Sequence, residues 1–197
     1  MIFLLLLGGF IEMATALPYI RDIRAGKTQP AIVSWTTWML LSFIASIASF
    51  SAGAIPSAIV TLALTLECFF IVLISIGRGK FSYTRFDKYC QSFALFGLFL
   101  WWWSSNPLTV LLCFVAVDAI GALPTFRHAW RRPHEETIST FSLSIIGNAI
   151  VLFAAPVFVF SQILAPAYLL SLNTLLTSEI LFRRRQAKKY IEVKATS

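Results

Sequence analysis

EMATALPYIR (residues 12–21) returns as DAIGALPTFR (residues 118–127), a fixed offset of 106. Ala16, Leu17, Pro18 and Arg21 meet identical partners in Ala122, Leu123, Pro124 and Arg127, and the leading acid Glu12 meets Asp118. The same offset sets Ile32 on Ile138, Ser42 on Asn148 and Glu67 on Asn173, without a gap. Chance readily supplies an Ala-Leu-Pro pair in apolar sequence, but not an acid and an arginine in register with it. The chain therefore reads as two copies of one unit, a reading that precedes any motif search.

Composition says what the unit is made of. Of 197 residues, 58% are hydrophobic and 13% charged, and mean hydropathy is +0.78. A soluble domain would carry about a quarter charged residues. That excludes a disordered chain, a nucleic-acid module and an ordinary soluble enzyme, in spite of a net charge of +7. Cys68, Cys90 and Cys113 are odd in number and far apart, so they build no disulfide or zinc framework. No phosphate loop, nucleophile elbow, zinc-protease helix or dinucleotide fingerprint occurs. The expectation is a protein without cofactor, metal or enzymatic activity. His128 and His134, beside Glu135 and Glu136, lack the spacing of a metal motif and read as a solvated loop.

A helix needs about 20 mostly apolar residues to cross a bilayer. Seven such runs can be marked, at 2–23, 32–51, 56–76, 86–103, 107–126, 138–155 and 162–182. Ala14, Thr15 and Ala16 resemble a signal-peptide cleavage site, but the first run lacks a basic leader and its features return in the second copy. The basic residues then orient the spans. Arg21, Arg24 and Lys27 mark the first connection; Arg78, Lys80, Arg85 and Lys88 the third; Arg127, Arg131 and Arg132 the fifth. Arg183, Arg184, Arg185, Lys188, Lys189 and Lys194 fill the tail and complete the sixteen. The other connections hold none. The positive-inside rule places the N-terminus outside and the C-terminus in the cytoplasm, in the plasma (inner) membrane. Trp101, Trp102 and Trp103 then fall at the outer boundary, and Trp35 and Trp130 near the inner one. The basic side could also hold anionic lipid, at about 1 kcal/mol per charge.

A three-helix unit inverts its end, so a fourth span must restore direction before the second copy begins. The expected fold is all-α integral membrane: seven transmembrane helices in a 3+1+3 parallel repeat of three-helix bundles. Its parts are 1–76, a linker with the inverting helix at 77–106, the second repeat at 107–182 and a basic tail at 183–197. This arrangement, with a proline near the inner end of the first helix of each copy, resembles the PQ-loop superfamily. That superfamily includes the SWEET sugar transporters, lysosomal cystine and cationic amino-acid exporters, and the KDEL receptors. Its proline–glutamine pair stands here as Pro18-Tyr19 and Pro124-Thr125.

Glu12, Glu67, Asp118 and Asn173 lie about ten residues inside their spans, near the bilayer midplane, and Asn148 reaches it on the sixth. An ionised carboxylate there costs roughly 3 kcal/mol. No lysine or arginine shares that depth, so protonation or a wet cavity must carry the three acids. Glu12 and Asp118 read either as groups that handle a proton or cation, or as neutral acids bonding helices together. The resemblance implies that Asn173 is the asparagine offered to a central pocket by the third helix of a SWEET repeat. Glu67 holds the matching place, and an acid there favours a cationic, amine-bearing or proton-linked solute. Trp38 reads as a pocket wall or as packing, with Ser144 its counterpart. Pro18 and Pro124 break the backbone ladder; the resemblance implies hinges, and the plain alternative is helix termination. The expected function is a carrier of a small polar solute bound by Glu67, Asn173, Trp38 and Asn148. The rival is a receptor or scaffold of the same fold, as the KDEL receptors are. Nothing suggests nucleic acid as a partner, and the sequence leaves the oligomeric state open.

Overall fold

The computed structural model describes residues 2–51, 55–79, 81–103, 107–154 and 160–196. They are almost entirely helical: α1 (Ile2–Ala14), α2 (Ala16–Arg24), α3 (Ile32–Ser51), α4 (Ile55–Gly77), α5 (Arg85–Trp103), α6 (Pro107–Arg131), α7 (Ile138–Phe153) and α8 (Phe160–Thr196), with a 3₁₀ turn at Pro133–Glu135. Among the described residues there is no strand beyond an isolated bridge between Ala31 and Ser82. The all-α class is as the sequence implies.

Boundaries differ where polarity misled the reading. The run at 2–23 is two helices, parted at Thr15. The runs at 107–126 and 162–182 were expected to stop at their first basic residues, yet α6 continues to Arg131 and α8 to Thr196. Arginine, lysine, glutamine and alanine are good helix formers, so charge ended the apolar run without ending the helix. The tail is thus an extension of α8. Positive φ at Gly26 and Gly79, 71° and 58°, turns the chain after α2 and α4 in the left-handed region that glycine enters freely. Residues 52–54, 104–106 and 155–159, which contain the expected non-basic connections, lie outside the described residues, as do Lys80 and the side chains of Trp101, Trp102 and Lys194.

The packing order is the same in both halves. α4 packs against α1, α2 and α3, and α8 packs against α6 and α7; among the described residues the backbones of α1 and α3, and of α6 and α7, stay apart, while α2 reaches α3 through Tyr19 and Trp35. Each third helix therefore stands between the other two. Across the halves, α1 packs on α7 and α3 on α6, while α5 lies against α6 and α3. The first helix of each half meets the second helix of the other, a two-fold exchange.

Hydrogen bonds repeat this exchange at matching residues. Thr140 Oγ1 on α7 donates to the carbonyl of Thr15, 3.0 Å, and the backbone N–H of Thr125 on α6 donates to Ser34 Oγ on α3, 3.2 Å. Ser34 and Thr140 are 106 residues apart, the repeat offset. The first bond reaches the carbonyl three residues before Pro18 and the second the N–H directly after Pro124, each within a turn of the proline.

Many polar groups lie inside, beside an apolar core that includes Tyr19, Ile23, Ile71, Leu176 and Ile180, and many large apolar side chains lie outside. Thr15, Ser34, Thr37, Ser42, Glu67, Asp118, Thr140 and Asn148 are buried, while Phe10, Leu17, Phe93, Phe96, Trp103 and Phe153 are exposed. Phe153 is 80% accessible and Glu67 3%. Buried polar residues and a broad exposed apolar surface invert the soluble pattern. Among the described residues one helical stretch, Phe3–Arg24 near the N-terminus, is long and apolar enough to cross a membrane; Ile32–Ile47, Thr61–Gly77 and Ile138–Phe153 are shorter apolar helices.

The basic connections gather at one end of the bundle. Arg78 donates to the carbonyl of Arg24, 2.8 Å, Arg127 to Thr84 Oγ1, 2.9 Å, and Arg184 to the carbonyls of Pro133 and Glu136, 2.9 and 2.7 Å.

Candidate functional site

A small cavity of about 60 Å³ opens between the halves, with walls from α1, α3, α4, α6, α7 and α8. At about 30 Å³ per water in the liquid this is room for roughly two waters. Glu12, Glu67 and Asp118 all line it, with Trp38, Ser144 and Asn173. Three carboxyls and one carboxamide from four different helices converge on a space too small for a sugar ring without opening.

Each polar group is held by a specific neighbour. Glu12 Oε1 accepts from Ser144 Oγ at 3.2 Å, a bond between the halves. Glu67 Oε1 accepts from Thr15 Oγ1, so the break between α1 and α2 is tied to α4. Asp118 Oδ2 accepts from Tyr168 OH at 2.9 Å, a bond within the second half. Asn173 Nδ2 donates to the carbonyl of Leu169, 2.9 Å. What remains without a partner is informative: Glu12 Oε2, Glu67 Oε2 and Trp38 Nε1 are buried and unpaired. Two acceptors and one donor are left over among groups lining one small cavity. Burying such atoms costs about 1–3 kcal/mol each unless something bonds them, and the cavity beside them has room for water to do so. Among the described residues no set of His, Cys, Asp and Glu is placed to hold a metal ion.

The close approach of α1 to α7 shapes one wall. A Cβ at Gly147 would sit 3.1 Å from Glu12 Oε2 and 3.3 Å from the carbonyl of Gly8. Glycine lets the two helices cross here with Glu12 between them, and even a methyl group would make its neighbours give way slightly.

Several sequence expectations change. Asn148 does not line the cavity; it is buried, and its amide donates to the carbonyl of Ser144 at 2.8 Å, the back-bond of a helical side chain satisfied on its own helix. Trp35 is no interface residue: it is 3% accessible, donates to Tyr19 OH at 3.2 Å and lines the cavity beside Trp38. Trp130 and Trp103 are exposed, and Trp130 stacks under Arg183 at 4.6 Å. Helix termination fails at Pro124, because α6 runs on to Arg131, but holds one turn before Pro18, where α1 ends at Ala14 and Pro18 stands in the first turn of α2.

His134 is exposed, as a solvated loop implies, but His128 and Glu136 are buried. His128 is buried, with Nε2 3.3 Å from Glu135 Oε2; burial lowers its pKa below the usual histidine value, against the pull of Glu135. Glu136 is 1% accessible and accepts from Tyr19 OH at 3.0 Å. Burial pushes its carboxyl up to about 8, offset in part by the Tyr19 bond and Arg184. The sequence assigns Thr15, Tyr19, Tyr168 and Glu136 no role at the site. The repeat offset could have flagged the floor of the cavity, since it sets Trp35 on Phe141, a matched pair of aromatics. Nothing in the sequence marks Glu136 apart from its neighbour Glu135.

A wider crater of about 620 Å³ lies at the basic end, lined by Arg131, Arg132, Glu135 and Arg183 among others. Arg132 is within 3.3 Å of Glu135, and Arg183 donates to the carbonyl of Trp130 and to Gln186, 2.9 and 2.6 Å.

Comparison with protein-family models, with curated proteins and with solved structures finds no match to this chain.

Proposed function

We propose that the chain is a seven-span membrane carrier of a small polar solute, of PQ-loop or SWEET-like arrangement, working by alternating access between its two three-helix units. One observation carries the reading. A cavity lined by three helices of each unit holds three carboxyls and an amide, with two of the carboxyl oxygens and Trp38 Nε1 unpaired, inside a shell whose outer face is apolar. In this reading the apolar surface faces lipid, the seven runs are spans and the basic end faces the cytoplasm. The fit to a small solute follows from about 60 Å³ of space, and the fit to a proton-donating or cationic one from the acceptors Glu12 Oε2 and Glu67 Oε2. Glu67, Asn173 and Trp38 bind the solute; Glu12 and Asp118 sit where a proton or cation would load. Pro18 and Pro124 are the bending points, each steadied by a hydroxyl from the other unit.

The test is thermal stabilisation of purified protein across sugars, amino acids, small amines and polyamines. A ligand present at 100 times its dissociation constant stabilises by about 2.7 kcal/mol. At least one small donor-bearing solute is expected to raise the melting temperature of wild type, and Glu67→Gln and Asn173→Ala to lose that rise. A hit that both variants bind as wild type does would remove the site. A solute that binds without ever crossing a membrane would favour the receptor reading.

A further inference from the structure

The wide crater at the basic end lies between the last turn of α6, the 3₁₀ turn that follows it and the basic stretch of α8. Its walls carry the guanidiniums of Arg131, Arg132 and Arg183 against the carboxylate of Glu135. Glu135 already faces Arg132 and His128, each at 3.3 Å. Arg183 is laid over the Trp130 ring, 4.6 Å from its centroid, with Nε on the Trp130 carbonyl and Nη1 on Gln186. Those bonds fix the guanidinium and leave its Nη2 over. The Arg131 side chain is exposed and has no ion pair or hydrogen bond to a described residue. One oriented guanidinium and one unengaged one thus share a concave wall, which suits the oxygens of a phosphate.

An apolar groove leads into this crater. α6 and α8 are neighbours in the bundle, and the Arg183–Trp130 bond sets their basic ends level. Leu123 and Trp130 are exposed on α6, as are Leu175 and Phe182 on α8. Each pair is seven residues apart, two turns or about 10 Å, and so marks one face of its helix. Both stripes end where the guanidiniums begin.

We infer that the crater is a headgroup site for an anionic phospholipid, with Arg131 and Arg183 on the phosphate and the acyl chains along the groove between α6 and α8. The inference takes from the reading above only that the bundle lies in a membrane with its basic end at the surface; it needs no transport. Charge complementarity decides the occupant. The crater wall is net positive, and the charge stands at the end of an exposed apolar surface, so its partner carries a negative head on an apolar body. A zwitterionic lipid brings an ammonium with its phosphate and gains less. A soluble phosphate ester has nothing to cover the groove. About 620 Å³ is ample for a glycerophosphate headgroup. The offset sets Arg131 on Ala25 and Arg183 on Gly77, so the first unit has no matching pair and the site occurs once per chain.

Trp130, exposed beneath Arg183, is the reporter. The full chain is reconstituted in phosphatidylcholine vesicles that contain a small fraction of lipid with brominated acyl chains, which quench tryptophan on contact. The part of the quenching that Trp130→Phe removes belongs to the crater. Brominated phosphatidylglycerol is expected to quench this part more strongly than brominated phosphatidylcholine at the same fraction. Arg131→Gln breaks no contact with a described residue, so it keeps the fold, and it is expected to lower the preference about fivefold, the worth of one basic residue at the surface. Arg131→Gln with Arg183→Gln should abolish it. Arg85→Gln removes one charge from an exposed position outside the crater and should leave the preference as in wild type. Equal quenching by the two lipids, a preference that Arg131→Gln retains, or an equal loss in Arg85→Gln would overturn the site. Glycerol phosphate that relieves the quenching at the concentration of the lipid would also overturn it, in favour of a soluble phosphate ester. A chain that stays dispersed in buffer without detergent removes the membrane reading; one that needs a bilayer and shows no preference removes the crater alone. Preference in a chain that moves no solute keeps the crater and removes the carrier.

Discussion

Replacing Ser34 by alanine and Thr140 by valine, singly and together, probes how the two units are joined. Each residue makes one buried hydrogen bond to the backbone of the other unit, within a turn of the proline of that unit's first helix. Both side chains are buried, Ser34 at 0% and Thr140 at 2%, so water does not replace the lost partner. A buried hydrogen bond contributes about 1 kcal/mol net, and interhelical ones in a membrane average nearer 0.6 kcal/mol. For a chain of this length 1 kcal/mol moves the melting temperature by roughly 2–4 °C. Each single variant should therefore lose about 1–4 °C. The pair, on opposite crossings with no shared partner, should lose close to the sum. Ser92→Ala is the control, because Ser92 is exposed and bonds only its own helix; it should change nothing measurable. The assay is thermal unfolding in detergent, followed by tryptophan fluorescence. If both single variants melt with wild type, or if only one does, the symmetric exchange between units is not what holds them.

Three further outcomes follow from the geometry. Gly147→Val places a branched side chain where even a Cβ is 3.1 Å from Glu12 Oε2, so it should cost about 1–3 kcal/mol and weaken solute binding; unchanged melting would mean that α1 and α7 are not so close. Stability should fall as pH rises towards and through about 8, because the native carboxyl of Glu136, at about 8 against an ordinary 4.5, binds more protons than the unfolded one across that window. The Glu136→Gln variant should flatten this alkaline decline, and an unaltered pH–melting profile would contradict it. On the acid side His128 acts oppositely: its lowered pKa means that stability is lost as pH falls below the ordinary histidine value of about 6.5, and His128→Gln should reduce that loss in the same measurement.

The helical class and the doubled plan were legible because both are written in pattern. Ala16, Leu17, Pro18 and Arg21 return 106 residues on, and apolar runs of helical length leave no alternation for strands. The converging acids were legible too, since a carboxylate deep in an apolar run needs a reason wherever it stands, and Glu12, Glu67 and Asp118 do share one cavity. What pattern could not give was partners. Asn148 and Asn173 look alike in their runs, but one bonds back to Ser144 away from the cavity while the other lines it. Trp35 follows a connection and so looks interfacial; the crossing of α3 with the second unit buries it. Glu135 and Glu136 are adjacent acids in a polar loop, and one residue of rotation sends one to His128 and the other under Tyr19. Helix ends failed for a simpler reason: basic residues that close an apolar run continue a helix without strain.

Flux across a reconstituted bilayer is the most direct test of the central claim that the cavity between the two units carries solute. Proteoliposomes of wild type, loaded with the solute that best stabilises the protein, should exchange it saturably with the outside. Those of Glu67→Gln, equally well folded and equally abundant, should exchange it at the rate of protein-free vesicles. Binding to wild type with no exchange, or exchange that Glu67→Gln sustains undiminished, would contradict the account.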